Sequence, residues 1–167
     1  TADTVSSGTN PLDVDASASA NYDFESAWSD SLGNNADADP EEEATIVTDP
    51  ERGSVLYVDG NDDHVRLPLN LLSGQAGFTV SVWVRTTESG TGSDPWDQPT
   101  LFGFENEGGL NDLMVTTSNG YIGIGNGLAG GVDESYLSTT TRINDDQWHL
   151  ITISTDDIAD TLSLYVD

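Results

Sequence analysis

Asn144–Asp167, NDDQWHLITISTDDIADTLSLYVD, decides the fold. A polar turn leads into a strand in which Trp148, Leu150 and Thr152 alternate with His149, Ile151 and Ile153, and an acidic turn leads to a second strand from Thr161 to Val166. Period-two alternation on both sides of a short Asp-rich connection predicts an antiparallel hairpin that buries a face in a sandwich.

Working outward, apolar runs of strand length recur at regular spacing. Strands are expected at Val55 to Val58, His64 to Leu67, Thr79 to Arg85, Thr100 to Phe104, Asp112 to Thr117, Tyr121 to Gly125, Glu134 to Ser138, His149 to Ser154 and Leu162 to Val166. Turn dipeptides such as Asp59-Gly60, Asn119-Gly120 and Asn126-Gly127 separate them. The block from Asp37 to Arg52 reads as an exposed connection with one short strand around Ile46 and Val47. Glu41 to Glu43 could begin a turn of helix, but Asp49-Pro50 would end it. Many strands and no helical periodicity imply an all-β, two-sheet antiparallel sandwich.

Four segments, in order, carry a resemblance: Asn21 to Glu25 with the loop Asp30 to Asp37, Ser54 to Pro68, Phe78 to Arg85, and the Gln147-Trp148-His149 strand returning at Leu164-Tyr165-Val166-Asp167. Together they resemble the laminin G-like, concanavalin A-like lectin jelly-roll family. The resemblance runs from Asn21 to Asp167 and implies a jelly roll that lacks its final strands, with Ser54 to Pro68 as a hairpin. His64 departs from the pattern, standing where the family usually carries an aromatic residue. Thr1 to Ala20, small, polar and acidic, is expected to be a linker or extended arm.

Charge is the second strong feature. Thirty Asp and Glu face four arginines and no lysine, for a formal charge of -26. Such a surface repels nucleic-acid phosphate and anionic membranes, so neither is expected as a partner. Self-repulsion on this scale calls for compensation by bound calcium or by high external salt, which points to a marine, saline or otherwise extracellular or cell-surface setting. Cysteine is absent, so disulfides play no part. No apolar run approaches the ~20 residues of a membrane helix, and neither an initiator Met nor a signal peptide opens the sequence. The chain is therefore expected to be part of a larger multidomain protein.

Calcium wants six to eight oxygen ligands from loop carboxylates, amides and carbonyls. Three loops offer such residues: Asp30 with Asn34, Asn35 and Asp37; Asp59 with Asn61, Asp62 and Asp63; and Asn144 with Asp145 and Asp146; the resemblance points to the first two. The resemblance places one calcium at the edge of the sandwich, with Asp30, Asn35, Asp37, Asp59, Asn61 and Asp62 as its candidate ligands. The same residue types also make Asx-turns without any metal.

Sugar recognition needs an aromatic platform with polar groups beside it. Trp96, in the polar loop with Asp94, Asp97 and Gln98, is the first candidate, and Trp28 and Tyr136 are weaker ones. A loop tryptophan can equally fold back to plug the sandwich. Trp83 and Trp148 lie in strands and are expected in the core, and His64 and His149 are expected to be ordinary strand residues.

Carboxylates two apart occur at Asp23 with Glu25 and at Glu105 with Glu107, the spacing by which a sandwich glycosidase presents its two acids to a cleft. Neither pair fits the Glu-x-Asp-x-x-Glu arrangement of the jelly-roll glycosidases, and thirty acids produce such spacings by chance. The expected function is a non-catalytic module that binds a glycan of a cell surface or matrix, with calcium assisting. Protein adhesion, a structural spacer and an accessory domain of a secreted glycoside hydrolase are the alternatives.

Overall fold

In the computed structural model the description covers residues 18–25, 27–68, 71–72, 75–90, 98–104, 112–127, 135–156, 159 and 161–167, with the backbone alone at 112, 126–127 and 135–138. Eleven strands and no helix form among these residues: β1 (Asp39–Glu41), β2 (Thr45–Asp49), β3 (Gly53–Tyr57), β4 (His64–Arg66), β5 (Gly77–Arg85), β6 (Thr100–Phe104), β7 (Asp112–Ser118), β8 (Tyr121–Gly127), β9 (Ser135–Arg142), β10 (Trp148–Asp156) and β11 (Thr161–Val166). All pairings are antiparallel. The chain divides into two compact units, Thr1–Gly74 and Gln75–Asp167.

The second unit holds two sheets, β11-β10-β5 and β6-β7-β8-β9. The hairpin read from Asn144–Asp167 forms as β10 and β11, and its register carries the alternation through three strands: Ile151 stands opposite both Val82 and Val166, and Ile153 opposite Val80 and Leu164. One face of that sheet is therefore apolar. It packs with Leu113 and Val115 of β7, Ile122 and Ile124 of β8, and Ile143, surrounded by Phe78, Val82, Val84, Leu101, Phe102, Leu162, Leu164 and Val166. Each fully buried isoleucine stabilises the fold by roughly 2–3 kcal/mol relative to exposure.

The turn between β7 and β8 shows how the sequence chooses its connections. Asn119 and Gly120 both have positive φ, 51° and 80°. That is the two-residue mirror-image turn whose twist matches a hairpin, and Asn-Gly is its preferred filling.

The face of β5 and β10 away from the core corrects one expectation. Thr79 meets Ser154 (3.0 Å) and Ser81 meets Thr152 (2.9 Å) in cross-strand hydroxyl bonds. Trp83, paired with Leu150, and Trp148, paired with Arg85, lie on this same face by strand alternation. Both tryptophans are half-buried there rather than in the core. The branched residues Val82, Val84, Ile151 and Ile153 take the positions between the sheets.

In the first unit β1 pairs with β4 and β2 with β3. The expected hairpin of Ser54 to Pro68 is thus corrected: β3 and β4 each take a different partner. The loop between them is shaped by side chains instead, since Asp63 accepts the Asp59 N–H (3.0 Å) at one carboxylate oxygen and the Glu43 N–H (2.8 Å) at the other. Glu41 belongs to β1 and pairs with Arg66 at 3.1 Å, so no helical turn starts there. Ala38 and Asp30 are the buried residues of this unit among those described, and Leu32, Val47, Tyr57, Val58 and Leu67 are exposed. Polar bonds, more than apolar burial, organise it.

Candidate functional site

The strongest cation-binding arrangement among the described residues is the loop that follows β3. Asp59, Asp62 and Asp63 each present a carboxylate oxygen, all within 4.8 Å of one another. Asn61 folds back onto Asp59, donating its backbone N–H (2.8 Å) and its side-chain amide (2.7 Å) to the two carboxylate oxygens. These donations hold the Asp59 carboxyl below its usual range, against a slight opposing effect of burial. Each carboxylate oxygen keeps a lone pair beyond the bond it accepts. Three such groups in one tight loop repel one another unless a cation lies between them, and oxygen-only donors suit a hard divalent ion. Asp63 joins the cluster because its carboxylate bridges two backbone segments, a role that its place in the sequence does not announce.

The other acidic loop is organised differently. Asp30, 5% exposed, accepts hydrogen bonds from the backbone N–H groups of Asn21, Leu32, Asn34 and Asn35 and from the Asn35 side-chain amide, at 2.8–3.1 Å. Burial works against its charge, but these donors outweigh burial and hold its carboxyl below the ordinary value. Asn35 also donates to the Ser19 carbonyl at 2.7 Å. Asp30 therefore acts as the hub of a folded loop, with both carboxylate oxygens engaged by the protein. Asp37 is exposed. Nearby, Tyr22 donates its hydroxyl to the Ala36 carbonyl at 2.9 Å, and burial, with Asp30 and Asp37 adding, raises its pKa.

Of the aromatic candidates, Trp28 is half-buried and meets Phe24 edge-on, with ring centroids 6.0 Å apart. Tyr136 stands on β9 opposite Gly125. Trp96, Asp94 and Asp97 lie outside the described residues. Gln98, which follows them, is 7% exposed, and its Oε1 faces the backbone of Gly90.

Asn119 N–H donates to the Gly90 carbonyl (2.9 Å), Gly120 N–H to the Ser89 carbonyl (2.7 Å), and the Asn144 amide to Ser89 Oγ (3.1 Å). These bonds stitch three connections together at one end of the second unit, where the candidate loop begins and ends. Thr117 N–H donates to the Pro99 carbonyl (2.9 Å), so the chain is bonded to the β7–β8 hairpin both at Gly90 and at Pro99.

The residue that sequence reasoning missed is His149. It faces inward on β10 with 11% of its side chain exposed, and both ring nitrogens meet carboxylates: Nδ1 with Asp167 (2.8 Å) and Nε2 with Asp145 (3.1 Å). The i,i+4 spacing of Asp145 and His149 spans a turn and the start of a strand, so no helical or strand periodicity points to the contact.

For acid–base chemistry, Asp23 and Glu25 are committed to the backbone. Asp23 accepts the Glu25 N–H (3.1 Å), and Glu25 accepts the Ser54 N–H (3.0 Å). Glu105 and Glu107 lie outside the described residues. No helix among the described residues is long and apolar enough to cross a membrane.

Among curated proteins, none matches this chain. A family model described as the concanavalin A-like lectin/glucanases superfamily matches residues 59–167, a span that takes in the Asp59–Asp63 loop and the whole second unit. With well over half its length matched and its strands arranged in antiparallel sheets without a helix among the described residues, the chain belongs to the laminin G-like family of the concanavalin A-like lectin/glucanase superfamily.

Proposed function

We propose that the chain is a non-catalytic binding module of an extracellular or cell-surface protein, that its ligand is a glycan, and that calcium assists it from the Asp59–Asp63 loop. Family membership carries the coarser part, since laminin G-like domains are binding modules, commonly extracellular, for carbohydrate or protein partners. The observation that supports calcium is the convergence of Asp59, Asp62 and Asp63 within 4.8 Å. These three, with the Asn61 side-chain carbonyl, would hold the ion, which would neutralise their mutual repulsion and fix the loop.

Glycan binding is assigned to the polar loop with Trp96, flanked by Asp94, Asp97 and Gln98. A tryptophan face suits the apolar side of a pyranose ring, and acidic and amide groups suit its hydroxyls. Such contacts are weak singly and gain strength when modules are presented together.

Two measurements test the reading. Thermal unfolding is followed with about 5 mM calcium and with chelator, at low and high sodium chloride. Calcium-specific stabilisation at both salts, lost in Asp62→Asn, supports the ion; equal stabilisation by sodium chloride alone removes it. Binding to a printed oligosaccharide array that disappears in Trp96→Ala, with the unfolding midpoint kept, supports the glycan site. An array without a single hit removes the glycan and leaves protein adhesion.

A further inference from the structure

We propose that His149 is a charged clasp that joins the β9–β10 turn to the end of β11, and that loss of its proton releases Asp145 and the turn while Asp167 stays engaged. The clasp follows from hydrogen-bond chemistry. A neutral imidazole has one N–H and one bare lone pair, whereas both ring nitrogens of His149 lie within bonding distance of carboxylate oxygens, 2.8 Å to Asp167 Oδ2 and 3.1 Å to Asp145 Oδ1. Carboxylates only accept, so both contacts are satisfied together by the imidazolium alone.

Among the described residues, Asp167 and Asp145 are the charges that act on the ring. Opposite His149 on β5 stands Val84, and the next residue, Arg85, is paired with Asp146 at 2.8 Å. On β11, Val166 stands opposite Ile151, and from the end of β9 Arg142 lies over the Tyr121 ring, 4.9 Å from its centroid. Burial disfavours the imidazolium, yet the bonds to Asp167 and Asp145 prevail and raise the pKa above the ordinary 6.5. Asp145 and Asp167 are correspondingly lowered, Asp145 first by its bond from His149, and Asp167 by bonds from His149 and Leu150 that outweigh burial.

The two halves of the clasp are unequal. Asp167 Oδ1 also accepts the Leu150 N–H (3.0 Å), and its own N–H reaches the Leu150 carbonyl (3.0 Å), so it is tied to β10 from both sides. Asp145 accepts the Gln147 N–H (3.0 Å) from within its own turn, where Asp146 adopts a φ of 63°. A neutral ring keeps its remaining proton on Nδ1, in the shorter bond to Asp167. The bare Nε2 then repels Asp145, and the turn from Asn144 to Gln147 loosens.

The sign follows from linkage. A raised folded pKa means that the clasp stabilises fully below the ordinary value of 6.5 and is lost as pH rises through the folded one. The clasp is thereby closed on the acid side of the ring's midpoint, and the turn opens on its alkaline side.

The test is an NMR titration of the intact chain, reading the imidazole nitrogens and the backbone amides from about pH 5 to about pH 9. The protein has two histidines, and His64→Gln separates their signals. Expected are a His149 ring midpoint above 6.5 with both ring nitrogens protonated below that midpoint, a Gln147 amide that shifts with the same midpoint as the ring, and a Leu150 amide that shifts less. Asp145→Asn, at an exposed position, should lower the ring midpoint and abolish the coupled Gln147 shift. A His149 midpoint at or below 6.5, an Asp145→Asn midpoint equal to that of the unmodified chain, or a Gln147 amide indifferent to the ring would each overturn the clasp.

Discussion

Gly90 lies directly against Gln98: a Cβ built on Gly90 would fall 2.5 Å from Gln98 Oε1, at a φ of +60°. The same Cβ would also strike the Thr117 carbonyl oxygen. Two independent constraints, left-handed backbone and absence of space, thus demand glycine at the point where the candidate glycan loop begins.

Gly90→Ala is therefore expected to destabilise the second unit by about 2–4 kcal/mol, since left-handed strain adds to a clash with backbone that cannot step aside. Chemical denaturation checks this. An unchanged midpoint would mean that the bonded framework of Ser89, Gly90, Asn119 and Gly120 is softer than its geometry.

Ile151→Ala removes a side chain with no exposed surface, at the centre of the sandwich. A loss of about 3–4 kcal/mol is expected from lost burial and the cavity left behind. Tyr165→Ala, one residue from Val166 but 58% exposed on the opposite face, should change stability by no more than about 0.5 kcal/mol. Parallel unfolding curves of the two variants decide whether the core lies where the register puts it.

Asp30→Asn keeps the shape of the side chain but turns one acceptor into a donor that faces N–H groups. A cost of about 1–3 kcal/mol is expected in the first unit. Because the Asp30 pKa is lowered on folding, its stabilisation is complete above 3.8 and is lost as pH falls through the lower folded value. Acid unfolding monitored in both proteins should show a shallower acid limb for Asp30→Asn. Identical limbs would separate Asp30 from the acid response.

With a net charge of -26, raising sodium chloride from about 0.1 M to about 1 M should raise the unfolding midpoint, because the Debye length falls from about 10 Å to about 3 Å. Calorimetry at several salt concentrations measures it. A flat response would mean that the carboxylates are spaced widely enough to need no screening.

Strand positions were legible because alternation is local. Thr100–Phe104 forms as read, and β5, β7, β8, β10 and β11 differ by short extensions at their ends. Strand partners were less legible. The turn residues between Tyr57 and His64 suggested a hairpin, yet β3 pairs with β2 and β4 with β1, because Asp63 ties its loop to the Glu43 backbone. At the candidate cation site the loop Asp59 to Asp63 is legible from its composition, whereas which of its carboxylates converge depends on how the loop folds back.

By itself the sequence determined an all-β, acidic chain, since period-two patterning, turn residues and net charge are properties of neighbouring residues and of composition, while its motifs carried the resemblance to the laminin G-like family. The tertiary structure alone decided which face of each strand is core, so that Trp83 and Trp148 fall outside it, and which charges meet, so that His149 stands between Asp145 and Asp167. Those outcomes depend on long-range register and on burial, where a one-residue slip would turn every side chain to the other face.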